Sequence, residues 1–287
     1  MGTTWRELYV GCSQELGDRF DARVMIEELA RQSFAELALH MDDDAPSGTK
    51  DALDRMVTRR RKGEPLQHVV GNWQFRTVDL AVDGRALIPR FETEVVVERA
   101  LVELRRLKGI ASSLPLVVVD LGTGSGAIAC AIVSEQSEVE VLALDVSASA
   151  LTLAKENGAR LSDQERARLC FIESDVYGAI VPSWEGRIAL IVSNPPYLTE
   201  REWDALEPVV RDFDPKSALV AGETGLEMIE TVIAGAPRLL ISEGALVLEI
   251  AAHQGEGASL IARRVGAREV EVAPDLAGRD RVLVVRW

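Results

Sequence analysis

Leu116-Val117-Val118-Val119-Asp120-Leu121-Gly122-Thr123-Gly124-Ser125-Gly126 is an apolar run that passes through an acid into three glycines at alternate positions. The run Leu116–Asp120 is a strand, and glycines directly after it let the backbone turn tightly and come close to a ligand. A helix over Ala127–Ser134 follows. Working outward, Val139–Asp145 is the next strand, Leu169–Glu173 a third, and Ile188–Val192, apolar throughout, suits a fourth buried on both faces. Gly225–Leu240 reads as helix, Ala245–Ile250 as strand, Ala258–Arg264 as helix, and two further strands lie near Val270 and Val282. Strands alternating with helices predict an α/β fold, a doubly wound, mostly parallel seven-stranded sheet with helices on both faces.

Asp145 stands 19 positions after Gly126, at the tip of the second strand, where a carboxylate can accept from two ribose hydroxyls. The alternative is a helix cap at Asp145, a task open to Ser147 as well. The spacing G-x-G-x-G differs from the dinucleotide G-x-G-x-x-G, and an acid precedes it. An acidic loop is a poor pyrophosphate cradle but tolerates a sulfonium and an ammonium, which favours S-adenosylmethionine over NAD. Glu173-Ser174-Asp175-Val176, after the third strand, is placed to meet the adenine.

The fourth strand ends in Asn194-Pro195-Pro196-Tyr197. Two successive prolines cannot donate to a ladder, so the strand stops at Asn194, at the carboxyl edge where open α/β sheets hold ligands. The residue before a proline is pushed toward extended geometry, so the Asn194 side-chain oxygen and the neighbouring Pro195 carbonyl can accept two N–H bonds from one planar NH2 group. A rigid strand exit with Tyr197 in the core is the structural alternative.

Residues from Thr4 to about Lys62 carry a helical pattern without a strand signal, with a turn-rich break at Met41–Gly48 and Thr49 as a candidate cap. The basic run Arg59-Arg60-Arg61-Lys62 reads as a solvated last helical turn, with an acidic partner or RNA as the alternative. Residues Pro65–Pro89 change to near alternation, Trp73, Phe75, Val78, Leu80 and Val82, with a turn at Asp83-Gly84, and predict a β-hairpin linker. A helix over Glu92–Leu107 follows. The expected domains are 1–64 helical, 65–90 hairpin linker and 91–287 catalytic.

The net charge of −14 disfavours steady binding to a phosphate backbone, and no stretch approaches the roughly 18 apolar residues of a membrane span. Three scattered cysteines and three isolated histidines support neither a disulfide framework nor a metal site. The expectation is a cytoplasmic, monomeric chain with no membrane association.

Pro65-Leu66-Gln67, Gly71, Phe75, Ile88-Pro89-Arg90, Glu92-Thr93-Glu94, the Asp120–Gly126 loop and Asn194–Tyr197 together resemble the peptide-chain release factor glutamine methyltransferases, the HemK/PrmC family, nearly end to end. The resemblance implies a class I S-adenosylmethionine-dependent methyltransferase domain, and an amino-terminal helical domain that helps dock the release factor. Its target would be the glutamine amide of a Gly-Gly-Gln loop. It implies cofactor contacts from Gly122, Thr123, Gly124, Ser125, Gly126, Asp145, Val176 and Asn194, beside Asp175, which its place after the third strand makes a candidate. Asn194, Pro195, Pro196 and Tyr197 would hold the glutamine, with Asn194 and Pro195 accepting its hydrogens and Tyr197 packed on the amide plane. No base close in sequence is assigned. The sequence departs from the family pattern at His68, Phe91, Val176 and Ala221–Leu226. Three readings stay open beside it: another protein glutamine or a small-molecule amide or amine, the exocyclic amine of adenine in nucleic acid, and a non-catalytic binding module.

Overall fold

The apolar runs pair into one sheet. In a computed structural model, which describes residues 2–110 and 115–287, the strands are β1 (Asn72–Phe75), β2 (Val78–Ala81), β3 (Leu116–Leu121), β4 (Val139–Asp145), β5 (Leu169–Glu173), β6 (Ile188–Ser193), β7 (Leu198–Thr199), β8 (Val220–Gly222), β9 (Leu240–Glu249), β10 (Glu269–Pro274) and β11 (Asp280–Arg286). Seven of them form a sheet in the order β10-β11-β9-β6-β3-β4-β5. The β9-β6-β3-β4-β5 portion is parallel, and β11 pairs antiparallel with both β9 and β10. The doubly wound, seven-stranded expectation is met. β9 starts five residues before the expected Ala245, and its pairing with β6 shifts register between Ile188 and Leu190, beside Glu243 at φ 68°.

All six residues of β6 are buried, as a strand covered on both faces requires. One face packs against helices Phe91–Lys108 and Ala127–Glu135, the other against Glu227–Leu239 and Gly255–Arg264. Each buried Val, Leu or Ile contributes about 1.5–3 kcal/mol relative to exposure. Helix Phe91–Lys108 carries Glu92 and Glu94 in its first turn and Arg105, Arg106 and Lys108 in its last, matching the macrodipole at both ends.

The chain divides into two compact units, one of residues up to Asn72 together with Glu207–Phe213, the other of Trp73–Leu206 and Asp214–Trp287. The first is helical, with helices Trp5–Leu16, Arg19–Ala30, Phe34–Leu37, Thr49–Arg61 and Leu66–Val70. Thr49 begins its helix rather than capping it, because Gly48 takes the left-handed cap position at φ 87°. The segment from Pro65, expected to be hairpin, opens with the short helix Leu66–Val70, ended by Gly71 at φ 77°, before β1 and β2 pair. The basic run forms the last turn of its helix, as expected, with Arg59, Arg61 and Lys62 exposed; within it Arg59 pairs with Glu64, Arg60 with Asp21 and Arg61 with Glu15. Among the described residues no helix is long and apolar enough to cross a membrane.

Candidate active site

The chain runs β3, β4, β5 toward one edge and then returns to place β6 on the other side of β3. The strand order therefore reverses between β3 and β6, where a crevice opens beyond the strand ends. Leu121 and Ser193 are register partners there, and the Ser193 hydroxyl donates to the Leu121 carbonyl at 2.7 Å. The glycine loop and Asn194 thus leave adjacent strand ends. Between them lies a cavity of about 440 Å³.

Gly122, Gly124 and Gly126 all take positive φ, 68°, 56° and 82°. A Cβ on Gly122 would meet no protein atom within 4 Å, so the space beside it belongs to the cavity. Asp145 shapes the loop from β4: its Oδ2 accepts from Gly124 N at 2.8 Å and its Oδ1 from Ser147 N at 2.8 Å. Ser147, not Asp145, caps the following helix by accepting from Ala150 N. Each Asp145 oxygen retains a second lone pair for a ligand hydroxyl. Asn157 fastens the loop from below, donating to the Ser125 carbonyl at 2.8 Å while its Oδ1 accepts from Ala81 N at 2.7 Å. Beneath the loop Asp120 is fully buried; its Oδ2 accepts from the Thr123 hydroxyl at 2.6 Å and its Oδ1 has no partner. Burial pushes this carboxyl up to about 7.

Of the expected site residues, Gly122, Thr123, Gly124, Ser125, Asp145, Asp175, Val176, Asn194, Pro195 and Pro196 line the cavity. Gly126 and Tyr197 stand outside its wall. A Cβ on Gly126 would lie 3.2 Å from Ala154 Cβ and 3.3 Å from its Cα, so this glycine serves the packing of one helix on the next. Tyr197 does not lie on the cavity face as expected. It packs into the apolar layer behind, and its hydroxyl donates to Glu249 Oε1 at 3.3 Å. Val176 holds φ 45°, a rare conformation for a β-branched residue that costs on the order of 1–3 kcal/mol. The buried Ser174 hydroxyl sustains it by donating to the Val176 carbonyl at 2.9 Å and accepting from Ala179 N at 3.0 Å.

Asn194 makes one side-chain bond, from Nδ2 to Thr93 Oγ1 at 3.1 Å; Thr93 lies at the start of helix Phe91–Lys108 and donates in turn to Glu249 Oε2 at 2.6 Å. Among the described residues no donor reaches Asn194 Oδ1, which is left for a ligand. The loop behind it is pinned by buried Gln254, whose Nε2 donates to the carbonyls of Tyr197 at 2.9 Å and Gly225 at 3.0 Å. Gly225 sits at φ 77°, and a Cβ there would lie 2.5 Å from the Tyr197 carbonyl oxygen. Gly225→Ala is therefore expected to destabilise the protein by about 2 kcal/mol or more, from left-handed strain together with the collision. Thermal unfolding checks this; an unchanged Tm would mean that the loop absorbs the methyl without cost.

The opposite wall is Gly84–Arg90, with Pro215, Ser217 and Ala218. Arg90 Nη2 meets Asp214 Oδ2 at 2.6 Å, and Arg85 is held by Asp83 and Glu156. With both wall arginines paired, the carboxylates of Asp145 and Asp175 set the charge facing the cavity. Such a wall suits a cationic ligand that carries hydroxyls. The departures at 91 and 224 lie outside it. Phe91 is 70% exposed at the helix start, while the Thr224 hydroxyl accepts from Leu226 N at 3.3 Å in the turn before helix Glu227–Leu239.

Residues 107–212 match the family model described as the methyltransferase small domain, and residues 13–71 match that of the PrmC N-terminal domain. A release factor glutamine methyltransferase of Nitratidesulfovibrio vulgaris is 43% identical over 236 residues, covering 82% of this chain and 76% of that protein. One from Escherichia coli is 33% identical over 269 residues, covering 94% and 92%. Among solved structures, the hMettl16 catalytic domain in complex with MAT2A 3'UTR hairpin 6 matches with a TM-score of 0.53 at 13% identity, covering 84% of this chain and 81% of that one, a likeness of fold alone.

Proposed function

This chain belongs to the release factor glutamine methyltransferase family, and from that premise we propose that it transfers a methyl group from S-adenosylmethionine to the side-chain amide nitrogen of the glutamine in the Gly-Gly-Gln motif of a peptide-chain release factor. The observation that carries the reading is Asn194. It stands in the cavity wall beside the glycine loop with its NH2 committed to Thr93 and its carbonyl oxygen open. An acceptor so placed matches a ligand NH2 group.

The cavity fits the cofactor in shape and charge. Gly122 leaves room where any side chain would intrude, Asp145 has lone pairs for ribose hydroxyls, and Asp145 and Asp175 favour a cation. Asp175 and Val176 would border the adenine. When bound, S-adenosylmethionine supplies an electrophilic methyl on a sulfonium.

An amide nitrogen is a weak nucleophile because its lone pair is delocalised into the carbonyl. Positioning therefore supplies most of the catalysis. Asn194 Oδ1 and the Pro195 carbonyl would accept the two amide hydrogens, fix the nitrogen's orientation and stabilise positive charge as the N–C bond forms. The proton leaves the nitrogen after transfer, and no residue of the cavity wall is assigned as its base. Pro196 fills the wall beside the amide, and Tyr197 secures the loop from behind through Glu249.

Mass spectrometry of a Gly-Gly-Gln release factor incubated with the protein and S-adenosylmethionine tests the proposal. The expected result is a gain of about 14 Da on the glutamine, lost in Asn194→Ala. Cofactor binding without that gain would overturn the substrate and turn attention to other amides and to adenine.

A further inference from the structure

Behind Asn194 the hydrogen bonds continue inward in a fixed sense. Glu249 is 1% exposed at the end of β9, and its two oxygens face two hydroxyls, Thr93 at 2.6 Å and Tyr197 at 3.3 Å. A threonine hydroxyl has one proton. With that proton given to the Glu249 carboxylate, Thr93 Oγ1 can only accept, so Asn194 must turn Nδ2 toward it. The reverse amide orientation would set the Asn194 and Thr93 oxygens against each other with no proton between them.

We infer that Thr93 and Glu249 are positioning residues that hold Asn194 with its acceptor toward the cavity, and thereby select a ligand NH2 group over a carboxylate. The inference rests on the amide-methylation reading above. Neither residue is needed to touch the amide. Thr93 borders the cavity, whereas Glu249 lies outside the wall and acts through Thr93. The donor sense rests on the geometry, the Thr93 hydroxyl lying 2.6 Å from Glu249 Oε2; burial, with Glu92 nearby, holds the Glu249 carboxyl above the usual carboxylate range, and the bonds from Thr93 and Tyr197 together with Arg281 oppose that push. The device suits its purpose because an asparagine left without such a partner can rotate its amide and present an NH2 group, which welcomes a carboxylate oxygen as readily as a carbonyl.

The test compares wild type with Thr93→Val, which keeps the shape and removes the hydroxyl, and with Thr93→Ser, which restores it; Thr93→Ala replaces the valine variant if that one fails to fold. Single-turnover methyl transfer to a Gly-Gly-Gln release factor is measured at saturating cofactor. Binding is measured for the same release factor and for its Gln→Glu form. The valine variant is expected to transfer methyl at least about tenfold more slowly, with the cofactor Kd within about twofold of wild type, and the serine variant to recover to within about threefold. Wild type is expected to bind the Gln form at least about tenfold more tightly than the Glu form, and the valine variant to narrow that preference to about threefold or less. Equal rates in wild type and the valine variant would overturn the inference. So would an equal loss in the serine variant, or an unchanged Gln-over-Glu preference. Failure of wild type itself to methylate the release factor would instead overturn the substrate reading, so the two failures are distinguishable.

Discussion

Asn194→Ala is expected to lower kcat/KM for methyl transfer by about 100- to 1,000-fold, the range found when a preorganised polar group is removed from developing transition-state charge. Among the described residues, the substitution deletes the one wall side chain whose carbonyl oxygen is left open by its own hydrogen bonding. It also removes the donor to Thr93, whose oxygen then loses a buried partner. The glycine loop and Asp145 are left in place, held by Asn157 and by the Gly124 and Ser147 amides. Calorimetry should therefore find a cofactor Kd within about tenfold of wild type while single-turnover transfer collapses. Near-normal turnover would refute the role given to Asn194. A lost cofactor Kd would move the residue from amide orientation to cofactor binding.

Asp120→Asn is expected to flatten the pH dependence of stability. The folded carboxyl is pushed up from 3.8 to about 7, chiefly by burial, against the Thr123 hydroxyl and the Ala129 amide, which pull the other way. Between those two values the folded protein binds a proton that the unfolded chain has released. Stability therefore falls as pH rises through this window and levels off above about 7. From pH 5 to pH 8 the loss attributable to this group is about 2–3 kcal/mol, at about 1.4 kcal/mol for each pH unit crossed within the window. Asparagine cannot titrate, yet its Oδ1 can still accept from Thr123. Denaturant unfolding of both proteins at the two pH values isolates Asp120, since every other group is common to them. Parallel falls in wild type and variant would show that Asp120 is ionised in the folded protein throughout.

Much of this site was legible along the chain. A glycine loop after an apolar strand, an acid at the next strand tip and an asparagine stopped by two prolines each announce themselves by local chemistry, and Gly122, Gly124, Asp145 and Asn194 all reach the cavity. Thr93 stood in the sequence only as part of the Glu92-Thr93-Glu94 resemblance, with no role attached, and Glu249 and Gln254 did not announce themselves. Thr93 lies 101 residues from Asn194 and 156 from Glu249, and Gln254 lies 57 from Tyr197. A lone threonine in a helix start or a glutamate ending a strand has no periodicity or spacing to set it apart. Tyr197 misled because an aromatic after Asn-Pro-Pro reads as a substrate platform, whereas its phenol finds a buried carboxylate brought by β9. The pairing of Arg60 with Asp21 and of Arg61 with Glu15 was not legible because those carboxylates lie on other helices.

By itself the sequence determined the element types, the reversal point for the ligand and the residue that faces it. Those features follow from steric limits and side-chain periodicity acting over a few residues. Only the tertiary structure decided which atom of Asn194 meets the cavity. An asparagine amide has two nearly isosteric orientations, and the choice between them belongs to Thr93, 101 residues from Asn194, and to Glu249, which tertiary packing brings to Thr93 from 156 residues along the chain.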